Sequence, residues 1–340
     1  MTVLWVIVAV LAALVLCGIA YQAIEAARDR KRFPPIGRLV ATGGQRLHLI
    51  ESGSGTPAVI LESGISASCL NWTHIRKGVA RFTRVCAYDR AWLGWSDEAN
   101  SPRIGSQLVA ELHGLLQGAG VAPPYVLAGH SFGGLLVSMY AARYPGEVAG
   151  LVLVDPLAAS EWLHLSEAQA RMLGGGVRLA RRGAWLARVG VVRLALALFL
   201  GGARRVPKQI ARLTSGTGES TISRIVGEVG KMPPEVWPIV RAHWCSPKSF
   251  LGLAAALESL PAASAEAIGL ALPSSIPVTI LSARHCTAAE LAQRDALANK
   301  SVRGRHILAS QSGHWIHLDE PELVIDAIRQ MVELVRAATS

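Results

Sequence analysis

The chain has 340 residues, of which 51% are hydrophobic and only 17% charged, against a usual charged share of about 25%. This composition excludes a disordered protein, because there is ample apolar surface to bury. The net charge of +10 is compatible with binding to nucleic acid, to a membrane surface or to an acidic partner, and the apolar excess disfavours nucleic acid. Five scattered cysteines without a CxxC pair predict reduced thiols and no zinc site.

The first predicted element is a membrane anchor. Residues 2–24 carry no charge, and 23 helical residues span about 35 Å, enough to cross a hydrocarbon core of about 30 Å. Four basic residues follow, Arg28, Arg30, Lys31 and Arg32, and the positive-inside rule keeps that flank cytoplasmic. We therefore expect residues 1–32 to be a single-pass anchor and its flank. A cleaved export signal is the alternative, although it lacks a positive n-region and Gly18-Ile19-Ala20 is a poor cleavage site.

After the helix-breaking Phe33-Pro34-Pro35, short apolar runs alternate with helical patterns. The helical patterns include Gln107–Gln117 and Leu135–Arg143. This alternation predicts βαβ units and a mainly parallel sheet. The predicted strands are Leu47–Ile50, Ala58–Leu61, Arg84–Tyr88, Tyr125–Ala128, Leu151–Val154, Val278–Leu281 and His306–Ala309.

The alternation of strands and helices stops at residues 156–273, called the lid segment below, where the pattern is helical throughout. We therefore expect a helical insertion between core parts 38–155 and 274–340. Its 14 Lys and Arg against 7 Asp and Glu supply +7 of the net charge. The apolar run Val189–Leu200 is too short to span a membrane and fits a buried or an interfacial helix. The lid segment also carries an arginine cluster, comprising Arg178, Arg181, Arg182, Arg188, Arg204 and Arg205.

The candidate nucleophile is Ser131, within Gly129-His130-Ser131-Phe132-Gly133, a match to G-x-S-x-G. The pattern alone is weak, but here it follows an apolar strand and precedes a helical pattern. Strand, sharp turn and helix make the context of a nucleophile elbow. In such a turn Ser131 would sit at a helix N-terminus, where free N–H groups stabilise a developing oxyanion.

At this motif the chain resembles the α/β-hydrolase family over about residues 38–340. The stretch Tyr88–Ser96 is similar to the family's stretch after the fourth strand, and Ser312–Trp315 is similar to its histidine loop. The resemblance implies an α/β-hydrolase fold: a mostly parallel eight-stranded sheet with helices on both faces and a helical lid. We expect neither a cofactor nor a metal.

The base and the acid are predicted from chain order. His314 lies in a glycine-containing loop after the last predicted strand, where this fold carries its histidine, and His317 is its nearby rival. The family usually places the acid after the seventh strand, where Glu290 is the first carboxylate, but Thr287–Glu290 has the pattern of a capping box. Asp155, at the end of the sixth strand, matches the other location known for the family. We expect Asp155 to orient His314, with Glu290 as the alternative acid.

The oxyanion hole is expected to combine the backbone N–H groups of Phe132 and Ile65. The family commonly has His-Gly in the second loop, whereas this chain has Ser63-Gly64, so this element departs from the pattern.

A serine nucleophile predicts acyl transfer through an acyl-enzyme. Trp72, Trp92, Trp95, Trp237, Trp244 and Trp315 together suggest an apolar pocket. We therefore expect a membrane-anchored hydrolase of an apolar, lipid-like ester, whose lid arginines either contact anionic headgroups or form a solvated face. A C–C-bond hydrolase, a cofactor-free perhydrolase and a non-catalytic binding protein are the alternatives.

Overall fold

The computed structural model describes residues 1–200 and 230–339. Its strands are β1 (Arg38–Thr42), β2 (Gln45–Ser52), β3 (Ala58–Glu62), β4 (Val85–Tyr88), β5 (Tyr125–His130), β6 (Val148–Val154), β7 (Val278–Ala283) and β8 (Gly304–Ala309). Its helices are α1 (Thr2–Arg32), α2 (Thr73–Val79), α3 (Gly105–Gly118), α4 (Phe132–Arg143), α5 (Ala159–Leu163), α6 (Glu167–Arg188), α7 (Val191–Leu200), α8 (Trp237–Trp244), α9 (Pro247–Ile268), α10 (Ala288–Ala298), α11 (Ile316–Asp319) and α12 (Pro321–Thr339).

The eight strands form one sheet in the order β1-β2-β4-β3-β5-β6-β7-β8. The β1–β2 and β2–β4 pairs are antiparallel and all the others parallel. The predicted fold class is therefore confirmed, including the mostly parallel sheet. The sheet also contains β1, which pairs with β2 across the Gly43-Gly44 turn and had not been predicted as a strand.

Alternation along the buried strands produces a core on each face of the sheet. In β3, Ile60 packs with the core that includes α3 and α4, whereas Val59 and Leu61 pack with the core that includes α2 and α12. Strands buried on both faces read as continuous apolar runs, which is why β3, β5 and β6 were recognisable in the sequence. Because β3, β5, β6, β7 and β8 are parallel to one another, their carboxyl ends meet at one edge of the sheet.

Between β6 and β7 all of the described elements are helical. The central part of the lid segment, including Arg204 and Arg205, lies outside the described residues, and the predicted domain bounds stay a prediction.

The N-terminal helix α1 is long and apolar enough to cross a membrane, and residues 1–17 are all exposed. Such a helix is compatible with either an anchor or a signal sequence. The partly buried α9 meets the same criteria of length and composition, but it packs against α6 and α5 within the body.

Candidate active site

Ser131 occupies a sharp turn between β5 and α4, with φ +54° and ψ −120°, a conformation that L-residues rarely adopt. The flanking glycines make this turn possible. A Cβ at Gly129 would lie 2.4 Å from the Gly133 carbonyl oxygen, and one at Gly133 would lie 2.4 Å from the Glu62 carbonyl oxygen. The G-x-S-x-G spacing therefore has a steric cause at both ends.

His314 and Asp155 meet at the same edge of the sheet, although they are 159 residues apart in the chain. His314 Nδ1 lies 2.6 Å from Asp155 Oδ2, and the aspartate is 6% exposed. Asp155 directly follows β6 and has φ +43°, with its backbone N–H bonded to the Leu281 carbonyl. The hydrogen bond to a carboxylate commits Nδ1 as a donor and leaves His314 Nε2 free to accept a proton.

Ser131 and His314 both lie within the described residues, and no hydrogen bond joins Ser131 Oγ to His314 Nε2. The His314 side chain is 46% exposed, so the imidazole has open space around it. In the absence of substrate, catalytic hydrogen bonds are often long and tighten only in the Michaelis complex.

Arg294, on α10, binds the other oxygen of the aspartate. Its Nη1 donates to Asp155 Oδ1 at 2.6 Å and to Ser282 Oγ at 2.9 Å, and its Nη2 to the Pro156 carbonyl at 3.3 Å. Burial opposes ionisation of Asp155, but the bond from His314 and the charge of Arg294 outweigh it and hold its pKa at about 2. Asp155 is therefore a carboxylate that stays ionised throughout the neutral range, and Arg294 was not predicted from the sequence.

Glu290 is engaged elsewhere, in the capping box at the start of α10. Its Oε2 accepts from the Thr287 backbone N–H at 2.6 Å and from Thr287 Oγ1 at 2.8 Å. These bonds to Thr287 lower the pKa of Glu290. The alternative acid thus has a structural partner, and the imidazole is paired with Asp155.

The two expected oxyanion donors have free backbone N–H groups: neither Phe132 N nor Ile65 N donates to any described residue. Buried Arg90 fixes the loop that carries the second donor. It donates to the Ser63 carbonyl at 2.6 Å and to the Gly64 carbonyl, and it pairs with buried Glu62. Burial raises the pKa of Glu62, with opposing contributions from Arg90 and Tyr88. Arg90 thus holds two successive carbonyls of this loop in place.

His130 and His317 pack behind the base and take no part of their own in the triad. His130 Nε2 donates to the His314 carbonyl at 2.8 Å, which ties the elbow to the histidine loop. His317 is buried, 4.8 Å from Trp72 between ring centroids, and burial lowers its pKa to about 3. His317 is thus a neutral core residue.

Of the tryptophans expected near the pocket, one lies in the core and another packs against it. Trp72 is fully buried beside His317, and Trp95 packs between His48 and His243 while its indole N–H donates to the Phe33 carbonyl. Counting tryptophans could not distinguish core from pocket, because both environments favour the same side chain. The half-buried apolar side chains closest in sequence to the site residues are Ile65, Leu157 and Trp315.

One cluster in the described ranges has the donor atoms of a metal site: His48, Cys69 and Asp89, all buried. Its atoms already have partners. His48 Nδ1 donates to Asp89 Oδ2 at 2.9 Å, His48 Nε2 accepts from the Gly37 N–H at 3.2 Å, and Asp89 Oδ1 accepts from the Cys69 N–H at 2.8 Å. This closed network ties β2 to the segments that precede β1 and follow β3 and β4, which is a structural role.

Comparison with known proteins agrees with this architecture. Residues 59–327 match the model of a family described as "Alpha/beta hydrolase family", which is more than three quarters of the chain. The chain belongs to the alpha/beta hydrolase family. This hydrolase is similar in structure to a thermophilic esterase from Thermogutta terrifontis, with a TM-score of 0.57, 21% identity, and coverage of 88% of this chain and 98% of the esterase. At that identity the likeness establishes the fold.

The curated relatives match over a shorter stretch of this hydrolase. The uncharacterized protein YqjL of Bacillus subtilis is 30% identical over 131 residues, covering 36% of this chain and 52% of YqjL. A 2-hydroxy-6-oxo-2,4-heptadienoate hydrolase of Pseudomonas putida is 33% identical over 129 residues, covering 37% and 46%. The hydrolase thus spans about half the length of these relatives.

Proposed function

We propose that this alpha/beta hydrolase is a serine hydrolase that cleaves an apolar carboxylic ester through an acyl-enzyme on Ser131. The observation that carries the proposal is the short bond between His314 Nδ1 and Asp155 Oδ2, at the same sheet edge as the strained Ser131 turn. Membership of the family supports hydrolysis in general. The serine at the turn between β5 and α4 supports, more specifically, ester hydrolysis through an acyl-enzyme.

The proposed reaction starts when His314 Nε2 takes the Ser131 hydroxyl proton and Oγ attacks the ester carbonyl carbon. The N–H groups of Phe132 and Ile65 receive the oxyanion, while ionised Asp155 stabilises the imidazolium through Nδ1. The tetrahedral intermediate collapses, the C–O bond breaks, and His314 returns its proton to the departing alcohol. Water then attacks the acyl-enzyme by the same sequence and releases the carboxylic acid and free Ser131.

Apolar substrates are favoured by the side chains beside these groups. Ile65 and Leu157 pack half buried against the core that includes Phe132, and the Trp315 ring lies 5.9 Å from that of His314 between centroids. Apolar side chains in these positions would suit an acyl chain better than a charged group.

We also propose that α1 is an uncleaved membrane anchor and that the hydrolase domain lies on the cytoplasmic side. It is supported by packing that a cleaved signal would lose: Gly18 lies so close to the turn between α6 and α7 that a Cβ on it would be 2.3 Å from the Val189 carbonyl oxygen. Membranes containing the full chain, washed with alkaline carbonate, should retain a protein whose intact mass includes residues 1–20. A mass lacking them would show an export signal.

A C–C-bond hydrolase is the second candidate, because the Pseudomonas putida relative is a 2-hydroxy-6-oxo-2,4-heptadienoate hydrolase. The full chain in detergent should be offered p-nitrophenyl esters from acetyl to palmitoyl and, separately, a 2-hydroxy-6-oxo-dienoate. We expect ester turnover that rises with acyl length and is abolished by Ser131→Ala. Turnover of the dienoate alone would replace the ester proposal, and Ser131-independent turnover would refute the nucleophile.

A further inference from the structure

The α1 helix contacts the turn between α6 and α7, and it does so backbone to backbone. A Cβ at Gly18 would lie 2.3 Å from the Val189 carbonyl oxygen, and a Cβ at Gly190 would lie 2.8 Å from the Gly18 carbonyl oxygen. Gly190 also has φ +77°, which a side chain would disfavour. Two glycines therefore permit a closer approach of α1 to the lid segment than any larger residue would.

Polar contacts extend this junction toward the end of α1. Gln22 Oε1 accepts from Arg193 Nε at 3.0 Å, while its amide nitrogen donates to the Cys245 carbonyl. Arg193 Nη1 pairs with Asp29 Oδ2 at 2.7 Å, and the arginine side chain is mostly buried. The single charge within the apolar helix α7 is thus neutralised by α1. Helix α1 is held against the lid segment along more than two turns.

The position of this junction along α1 fixes its depth relative to a bilayer. The uncharged segment ends at Ile24, six residues after Gly18. At a rise of about 1.5 Å per residue, six residues correspond to about 9 Å. If residues 2–24 cross the bilayer, the α6–α7 turn lies about 9 Å inside the end of the apolar segment, within the depth of about 5–10 Å at which interfacial helices insert.

The surface that this placement turns toward lipid has the matching chemistry. On α7, Leu194 is 54% exposed and Leu198 39% exposed, and on α6 Trp185 is 56% exposed. Arg178 and Arg182 are exposed on α6, and within the described residues neither forms an ion pair. Arg181 differs, because it pairs with Glu258 at 2.7 Å. Exposed leucine and tryptophan beside arginines that have no ion-pair partner among the described residues are typical of a helix lying on an anionic bilayer.

We propose that the α6–α7 hairpin, residues 167–200, inserts at the surface of an anionic phospholipid bilayer, clamped there by α1. The proposal rests on the anchor reading of α1 given above and deepens it: the lid segment is itself membrane-bound.

The test uses the full chain with p-benzoylphenylalanine introduced at one position at a time, in nanodiscs of phosphatidylcholine and phosphatidylglycerol. Positions 194 and 198 report on the hairpin, and position 11, exposed on α1, reports on the anchor. Position 302 is the matched control, because Val302 is a 73% exposed apolar residue between α10 and β8. After irradiation, intact mass reveals phospholipid adducts.

We expect adducts at 11, 194 and 198 and none at 302. Adducts at 11 without any at 194 and 198 would refute the hairpin while leaving the anchor standing. The absence of an adduct at 11 would overturn both the anchor and the inserted hairpin. Equal adducts at 302 and at 194 would show that exposure alone produces labelling, and would also overturn the inserted hairpin. Ester turnover of the same samples separates either failure from loss of the proposed catalysis.

A second variant tests the clamp itself. Gly18→Leu adds a side chain where even a Cβ would meet the Val189 carbonyl, whereas Ala13→Leu adds the same bulk on the exposed part of α1. Gly18→Leu should reduce lipid adducts at 194 by at least about threefold, with adducts at 11 unchanged. Ala13→Leu should leave both unchanged. Equal adducts at 194 in both variants would show that α1 does not position the hairpin.

Discussion

Replacing Asp155 with asparagine would leave the shape of the site intact and remove the carboxylate that faces His314. Asparagine can donate its amide N–H to Nδ1, which reverses the tautomer and places the proton on Nε2, where it blocks the transfer from Ser131. The variant also lacks the negative charge opposite the imidazolium that forms during the reaction.

The magnitude follows from the distance. With Nδ1 and Oδ2 2.6 Å apart, the two charge centres are about 4 Å apart, and at an effective dielectric constant of about 20 their attraction is about 4 kcal/mol. The imidazole is half exposed, so solvent screens part of that interaction, and the reversed tautomer adds a separate loss. Together these effects predict a fall in kcat of about 10³- to 10⁴-fold, with KM changed by less than about threefold.

The assay is hydrolysis of the preferred p-nitrophenyl ester by the full chain in detergent, with Glu290→Gln as the matched carboxyl-to-amide control. Glu290 caps α10, so its replacement should cost about 1 kcal/mol of stability or less and leave kcat within about twofold. Circular dichroism establishes that both variants fold. If Asp155→Asn kept more than a tenth of the activity while Glu290→Gln lost it, Asp155 would not be the acid.

Three further predictions concern residues around the triad. Arg294→Met removes a hydrogen bond to Asp155 and the positive charge that helps to hold the pKa of this carboxyl low, so kcat should fall about 10-fold at nearly constant KM. An unchanged kcat would refute the positioning role of Arg294. Arg90→Lys cannot hold both the Ser63 and Gly64 carbonyls, so kcat should fall about 10- to 100-fold at nearly constant KM, whereas a pure KM effect would contradict the positioning role. The pKa of His317 is about 3 in the folded protein and about 6.5 in the unfolded chain, so the free energy of unfolding should fall as the pH drops from about 6.5 toward 3. Thermal unfolding of His317→Phe should show a decrease between about pH 7 and 5 that is smaller than that of the wild type by about 2 kcal/mol.

The parts of the site that the sequence predicts are those set by local pattern. Gly129 and Gly133 mark the turn at Ser131 because each lacks room for a Cβ. Asp155 was recognisable because it ends a run of buried apolar residues, and chain order pointed to His314. The strands of the buried sheet centre were found for the same reason, since burial on both faces produces uninterrupted apolar runs.

The residues that the sequence did not reveal act across long separations. Arg294 is 139 residues from Asp155 in the chain, and nothing in its helical context distinguishes it from a solvated arginine. Arg90 reaches Glu62 and the neighbouring carbonyls only after β3 and β4 have paired. Gly18 is an ordinary residue of an apolar helix until α1 meets Val189. Such contacts depend on tertiary geometry, which spacing along one chain does not encode.

The central claim is that Ser131 is a nucleophile activated by its surroundings. The direct measurement is the intact mass of the full chain after treatment with a fluorophosphonate, for the wild type, Ser131→Ala and the neighbouring control Ser138→Ala. We predict one phosphonyl adduct on the wild type and on Ser138→Ala, none on Ser131→Ala, and loss of ester turnover in parallel with labelling. A folded wild-type protein that takes no label, or a Ser131→Ala variant that labels as fast as the wild type, would contradict the account.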